Sequence, residues 1–291
     1  GHRNKAKGFG LVYAVVLIDS RSMVPSKEKK FFIRFNISLT HYLKLSPFVC
    51  GINYRSMKNR IVWKEGENIF VVRKGKTSND KISNGKPLVQ TYTFSEKQWV
   101  LASTSKGFGM KKFFALDGSN CLDCPYSGNQ GKGGCYTHKF NQYVGFLSML
   151  RSISIEDLTP LDRDKQHEII KMSFNTYVRF GTYGEPSLLP ISLINGISYV
   201  ADGWTGYTHQ WEKKWANEYS QWFMASTHDA KEQRKARTIG FRSFIATTIG
   251  TEKAVSCPAS KEMDYKSNCA KCGLCSGMLG KGTKDIKILE H

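Results

Sequence analysis

Hydrophobic and polar positions follow two different periods along this chain, and the change of period divides it. Between Ile61 and Ala102, short β-branched and aromatic runs alternate with turn formers. Ile61-Val-Trp, Ile69-Phe-Val-Val, Leu88-Val-Gln-Thr-Tyr-Thr-Phe and Trp99-Val-Leu-Ala read as strands, separated by Lys64-Glu-Gly, Ser78-Asn-Asp and Ser83-Asn-Gly. Lys112-Phe-Phe-Ala-Leu-Asp117 adds a strand. From Phe140 the spacing turns helical, with Tyr143, Val144, Phe146, Leu147 and Leu150 on the same face. Asp162 and Asp164 favour the start of a second helix running to Phe174. Beyond it, strand and helix alternate. Tyr177-Val-Arg-Phe is a strand, followed by the loop 181–186 and a helix to Ile194. Gly196-Ile-Ser-Tyr-Val is a strand, then comes the loop 202–211 and a helix rich in Trp and Lys. Trp222-Phe-Met-Ala-Ser precedes a helix over 229–239, and Phe241-Arg-Ser-Phe-Ile-Ala and Ile286-Lys-Ile-Leu complete the set.

Short strands alternating with helices predict parallel βα units and an α/β fold. The expected architecture is a (β/α)-barrel-like array, complete or incomplete, with an N-terminal basic β-rich region; an open doubly wound sheet is the alternative. Three regions follow: a basic extension over 1–60, a basic β-meander over 61–112, and a barrel-like metal-binding domain over 113–288. Within the extension, Cys50 reads as a small buried hydrophobe. The run Leu11–Ile18 is too short to span a bilayer and reads as buried strand rather than a signal-peptide core. The first residue is not Met, and the closing Leu-Glu-His reads as the start of a purification tag, so the last residues carry no functional weight.

Charge sharpens this picture. The chain of 291 residues has a formal net charge of +19, unevenly distributed. Residues 1–112 hold 22 Lys and Arg against 6 Asp and Glu, and the remainder 21 against 18. A basic block of that size is the footprint of a nucleic-acid-binding surface, with a solubilising face as the plain alternative. No membrane partner is expected, and the oligomeric state stays open.

Seven of the eight cysteines fall into two groups. Cys257, Cys269, Cys272 and Cys275 lie within nineteen residues, three of them at C-x-x-C-x-x-C spacing. Thiolates two residues apart converge on one ion or cluster, and both a four-cysteine zinc site and an iron–sulfur cluster accept this set. Cys121, Cys124, Cys135 and His138 form a second candidate set around a glycine-rich spacer, serving one composite site or two. Thiols clustered in this way in a long chain fit metal binding in a reducing cytoplasm better than disulfides.

Other chemistry follows predicted strands, where α/β folds place their active-site groups. Asp202, Tyr207 and His209 stand together as candidate acid–base residues, joined by Glu185. Arg179, Tyr183, Trp204, Thr205 and Ser226 are candidates for substrate recognition. The plainer readings are an Arg179–Glu185 ion pair holding the loop between them, tryptophans that belong to the core, and a solvated helix face for Lys231, Arg234, Lys235 and Arg237.

Taken together, Cys121-x-x-Cys124-Pro, Gly134-Cys-Tyr136, Arg179-x-Gly-x-Tyr-Gly-Glu-Pro186, Trp204-Thr-Gly-Tyr-Thr-His-Gln-Trp211, Met224-Ala-Ser226, Gly240-Phe-Arg-Ser-Phe244 and the two C-terminal cysteine motifs occur in one order. This set resembles a family of phage, prophage and plasmid proteins, some labelled as related to rolling-circle replication initiators. The resemblance covers about Ile61 to Leu289 and implies a mobile-element setting in the cytoplasm of a host cell. The chain departs from that label in having no His-x-His motif to accompany a nucleophilic tyrosine. The expected function is an enzyme acting on nucleic acid, modifying a base, with cysteine-bound zinc or an iron–sulfur cluster. The alternatives are an iron–sulfur redox or radical enzyme on another substrate, and a non-catalytic zinc-stabilised nucleic-acid-binding protein.

Overall fold

The computed structural model describes residues 59–289 apart from 78, 84, 131–133 and 248–252. The expectations for residues 1–58, including the Leu11–Ile18 run and Cys50, lie outside them. Strands β1 (Arg60–Glu65), β2 (Asn68–Gly75) and β3 (Leu88–Ser95) form the antiparallel meander that their alternation predicts. Past β3 the pairing becomes parallel: β4 (Tyr177–Tyr183) lies beside β3, and β5 (Gly203–Thr205) beside β4. The strands on either side of residue 112 therefore share one sheet.

A second sheet, parallel throughout, is built from β6 (Tyr207–Thr208), β7 (Met224–Thr227), β8 (Ser243–Thr247), β9 (Val255–Ser256) and β10 (Ile286–Leu289), in the order β6-β7-β8-β10-β9. One stretch of chain serves both sheets. β5 closes the first, Gly206 follows, and β6 opens the second. The Gly206 carbonyl accepts from Met224 N at 3.0 Å and its N–H donates to the Cys275 carbonyl at 3.2 Å. A Cβ at Gly206 would lie 2.5 Å from the Phe223 ring, so the crossing admits only glycine. The α/β class with predominantly parallel pairing is thus realised. Among the described residues the sheets stay open, with β1 and β9 at the outer edges.

Period-2 alternation gives the first sheet two apolar faces. Trp63, Phe70, Val72, Val89, Val178 and Phe180 point to one side, where Ile169, Met172, Leu193, Ile194 and Ile197 of the helices Arg163–Ser173 and Ile191–Val200 cover them. Asp162 caps the first of these helices, accepting from Lys165 N at 2.8 Å. Val62, Ile69, Val71, Tyr92, Phe94 and Tyr183 point to the other side. There the helices Glu96–Thr104, Met110–Phe114 and Phe140–Arg151 pack on them through Ala102, Phe113, Phe114, Phe146, Leu147 and Leu150.

Four sequence expectations are corrected. Trp99 to Ala102 is helical, because Ser95 and Gln98 form a capping box that starts the helix. Lys112 to Asp117 is not a strand; Lys112, Phe113 and Phe114 end a short helix whose two rings dock under β3 and β4. Gly196 to Val200 continues the helix that begins at Ile191 after Pro190, and Ile197 joins Leu193 and Ile194 on its buried face. The expected loop 202–211 contains β5 and β6 themselves.

Candidate functional site

Four neighbouring groups of side chains make up the site. The first cysteine loop is fastened to the ends of β3 and β4. Asp117, fully buried, accepts Gly128 N at 3.0 Å and Asn129 N at 2.9 Å, closing the loop from behind. Asn120 donates to the Thr93 carbonyl at 2.9 Å, and its own carbonyl accepts from Glu185 N at 2.7 Å. Gly184, at φ +79°, permits this close approach; a Cβ there would sit 2.7 Å from the Thr93 carbonyl. Cys121, Cys124 and Cys135 gather here. Burial raises the pKa of all three, Cys124 to about 12, and the electrostatic influence of each is felt by its neighbours. His138 stacks on Phe114, ring centroids 3.9 Å apart, with Nε2 3.6 Å from Asp117.

The second cysteine group occupies the other end of β4. The buried Tyr177 at the start of that strand lies within electrostatic reach of Cys269, Cys275 and Cys272, whereas Tyr183 at its end lies within reach of Cys121. Six residue steps of strand separate them, about 20 Å of extended chain. The two groups therefore stand apart along β4. Burial raises Cys257 and Cys275 and brings Cys269 to about 11, with the other thiols of the set adding to it. Arg242, buried, holds this loop by donating to the carbonyls of Leu274, Gly277 and Lys284. Asn268 caps the short helix Cys269–Cys272, and Gly273 follows in the left-handed region.

Among the described residues, no three His, Cys, Asp or Glu side chains stand in a geometry that would hold a metal ion, and all seven described cysteines are free thiols. The donor chemistry fits a metal in both groups. Buried thiols that raise one another's pKa stay protonated on their own, and a cation reverses that balance.

The third group follows the ends of β4, β6 and β7. Glu185 is buried and engages both carboxylate oxygens: Oε1 accepts from Ser187 N at 3.1 Å and Ser187 Oγ at 2.7 Å, and Oε2 from His209 N at 3.1 Å, with Thr208 also donating. Burial raises its pKa against these bonds. His209 is held at about 4, chiefly by burial and then by His228, so its imidazole is neutral at pH 7. The rings of His209 and His228 are nearly parallel, 11° apart, with centroids 6.2 Å from each other. Tyr126, two residues past Cys124, brings its hydroxyl to 3.2 Å from His228 Nδ1. Sequence reasoning missed His228 and Tyr126, although both adjoin motifs it singled out.

The fourth group centres on Arg179. It makes no ion pair with Glu185; its Nη2 donates to the Tyr136 hydroxyl at 2.9 Å. Tyr207 hydrogen-bonds Cys275 and accepts from Thr205 at 3.2 Å, which ties it to the second cysteine group rather than to His209. Asp202 is exposed at the start of β5, at the far end of that chain segment from His209. Tyr183 is a buried core ring whose hydroxyl accepts from Gln98 at 2.7 Å. Trp204 packs in the core and donates to the Trp222 carbonyl, and the Ser226 carbonyl accepts from Trp211. Arg237 pairs with the buried Asp285 instead of facing solvent alone. A separate hollow of about 450 Å³ lies outside the first cysteine loop, lined by Asp123, Asn129, Gln210, Lys213 and Trp215.

Set against models of known protein families, curated proteins and solved structures, the chain finds no match. Fold and site define an α/β protein with two separate groups of cysteines. Among the described residues, no helix is long and apolar enough to cross a membrane.

Proposed function

We propose that this chain is a nucleic-acid-modifying enzyme of a mobile element, working in the host cytoplasm and acting on a base. The observation that carries this reading is the His209 environment. A neutral imidazole, with no hydrogen bond to its ring nitrogens among the described residues, stands beside His228 and Tyr126 past the end of β6. An imidazole so placed can accept a proton from a bound group. Glu185 is the positioning residue: its bonds to His209 N and Ser187 fix the backbone that carries the ring. The excess of Lys and Arg over Asp and Glu supports a polyanionic substrate. We read the parallel strands β3 to β10 as an incomplete (β/α) barrel whose strand ends gather this chemistry.

Cys257, Cys269, Cys272 and Cys275 would hold one metal centre, and Cys121, Cys124 and Cys135 would contribute to another. Zinc bound there stiffens loops or polarises a ligand, whereas an iron–sulfur cluster exchanges electrons. Metal and sulfide analysis of anaerobically purified protein separates the two.

The test follows the mass of an oligonucleotide re-isolated after exposure to the protein in host-cell extract. Wild type shifts the mass, and H209A slows the shift by about 10²–10⁴-fold. Full activity in H209A removes His209 from catalysis. Salt-sensitive binding without any mass change supports the second reading, a non-catalytic binding protein, which the fully satisfied Glu185 favours.

A further inference from the structure

The register of the first sheet aligns a row of side chains that the sequence does not reveal. Arg60 pairs with Arg73, Arg73 with Gln90, Gln90 with Arg179, and Arg179 with Thr205. Directly opposed residues project to the same face of a sheet. Val62, Val71 and Tyr92, each two residues along from the row, identify that face as the one under the helices Glu96–Thr104 and Phe140–Arg151. The row therefore lies just past the helix-covered apolar half. Beyond it Tyr177 and Leu88 pack with Ile82 and Cys269. A transverse polar row is left between the two cysteine groups, in which Gln90 and Thr205 are buried, Arg179 is partly exposed and Arg73 is exposed.

The strip is cationic and uncompensated. Arg60 is engaged by Ser152, through its hydroxyl and its carbonyl. Arg73 is exposed, and Arg179 hydrogen-bonds the Tyr136 hydroxyl. Among the described residues, neither Arg73 nor Arg179 has a carboxylate within ion-pair distance. Tyr136, Tyr207, Cys269 and Tyr92 lie close enough to influence Arg179, and Arg73 and Arg179 both influence the Tyr92 phenol. With strands about 4.8 Å apart, Arg73 and Arg179 stand about 10 Å from each other across Gln90. Tyr136, half-exposed, presents its ring beside Arg179, 5.6 Å from centroid to guanidinium carbon. Arg60 and Arg73 are directly opposed, and like charges so placed cost stability unless an anion lies over them.

Deepening the nucleic-acid reading, on which it rests, the geometry points to this row as the seat of a single nucleic-acid strand. Arg73 and Arg179 take its phosphates through their guanidinium forks, and Tyr136 offers a stacking face to a base. The strand crosses β2 to β4 transversely, between the two cysteine groups.

The experiment titrates full-length protein into a fluorescently labelled single-stranded oligonucleotide at rising NaCl, with inorganic phosphate as competitor. R73Q and R179K are compared with wild type, and thermal melts confirm folding. Each variant is expected to bind about three- to tenfold more weakly near 0.1 M salt, equally across sequences. R73Q should flatten the slope of log affinity against log salt by about 0.7. R73Q, at an exposed position, keeps the test decisive if R179K does not fold. Wild-type affinity and slope in both variants, with the oligonucleotide still bound, overturn the strip while leaving the nucleic-acid reading intact. No oligonucleotide binding by wild type overturns both. Displacement by millimolar phosphate alone, without length dependence, reassigns the strip to small anions and overturns the strand.

Discussion

His209 couples its surroundings to the pH dependence of the fold. Burial, then His228, brings its pKa to about 4, below the value near 6.5 of an unfolded histidine. Between those values the unfolded chain binds the extra proton, so stability rises with pH through that window and is lost on acidification, by up to ~3 kcal/mol. Melting temperatures of wild type and H209Q from pH 7.5 to 4.5 should therefore converge, with wild type falling faster. Parallel curves would show that the site admits the charged ring. The comparison isolates His209 from Glu185, whose raised carboxyl pKa acts with opposite sign. At this scale the sequence was readable where spacing alone brings groups together, as at Cys269, Cys272 and Cys275, whose thiols influence one another. It was not readable where partners meet across strands. The Arg179–Glu185 pair failed because Glu185 turns to Ser187 and His209 while Arg179 turns to Tyr136.

Elements were legible where one period dominated. The helices Phe140–Arg151 and Arg163–Ser173 and the strands β1 to β4 follow their apolar spacing. Short apolar runs defeat that logic, since four buried residues look alike in a strand or a helix. Trp99-Val-Leu-Ala is such a case, and its deciding signal is polar: Gln98 accepts Ser95 N at 3.1 Å while the Ser95 hydroxyl accepts Gln98 N at 3.1 Å. Gln98 also donates to the Tyr183 hydroxyl and to the Phe113 carbonyl, so one side chain joins its own helix, the helix Met110–Phe114 and β4. Replacing it with Ala should cost about 2–4 kcal/mol, by loss of the cap and by stranding the buried phenol. Urea denaturation measures this; a loss below ~1 kcal/mol would mean that water or a shifted neighbour takes over those bonds.

For the whole molecule, the separation of the cysteine groups along β4 gives a count. Two metal equivalents are expected, lost independently: C272S should release one and C124S the other, each leaving the remaining equivalent bound. Metal analysis of the purified variants checks this, and loss of all metal from either variant would mean the two loops fold only together. Charge asymmetry and the two cysteine groups were visible in the sequence; the cationic strip was not, because it exists only once register sets residues 60, 73, 90, 179 and 205 side by side. The passage of one chain segment through Gly206 from sheet to sheet reaches further. Neither sheet can be peeled away without taking the other's edge strand with it, so the machinery on both sides stands or melts as one cooperative body.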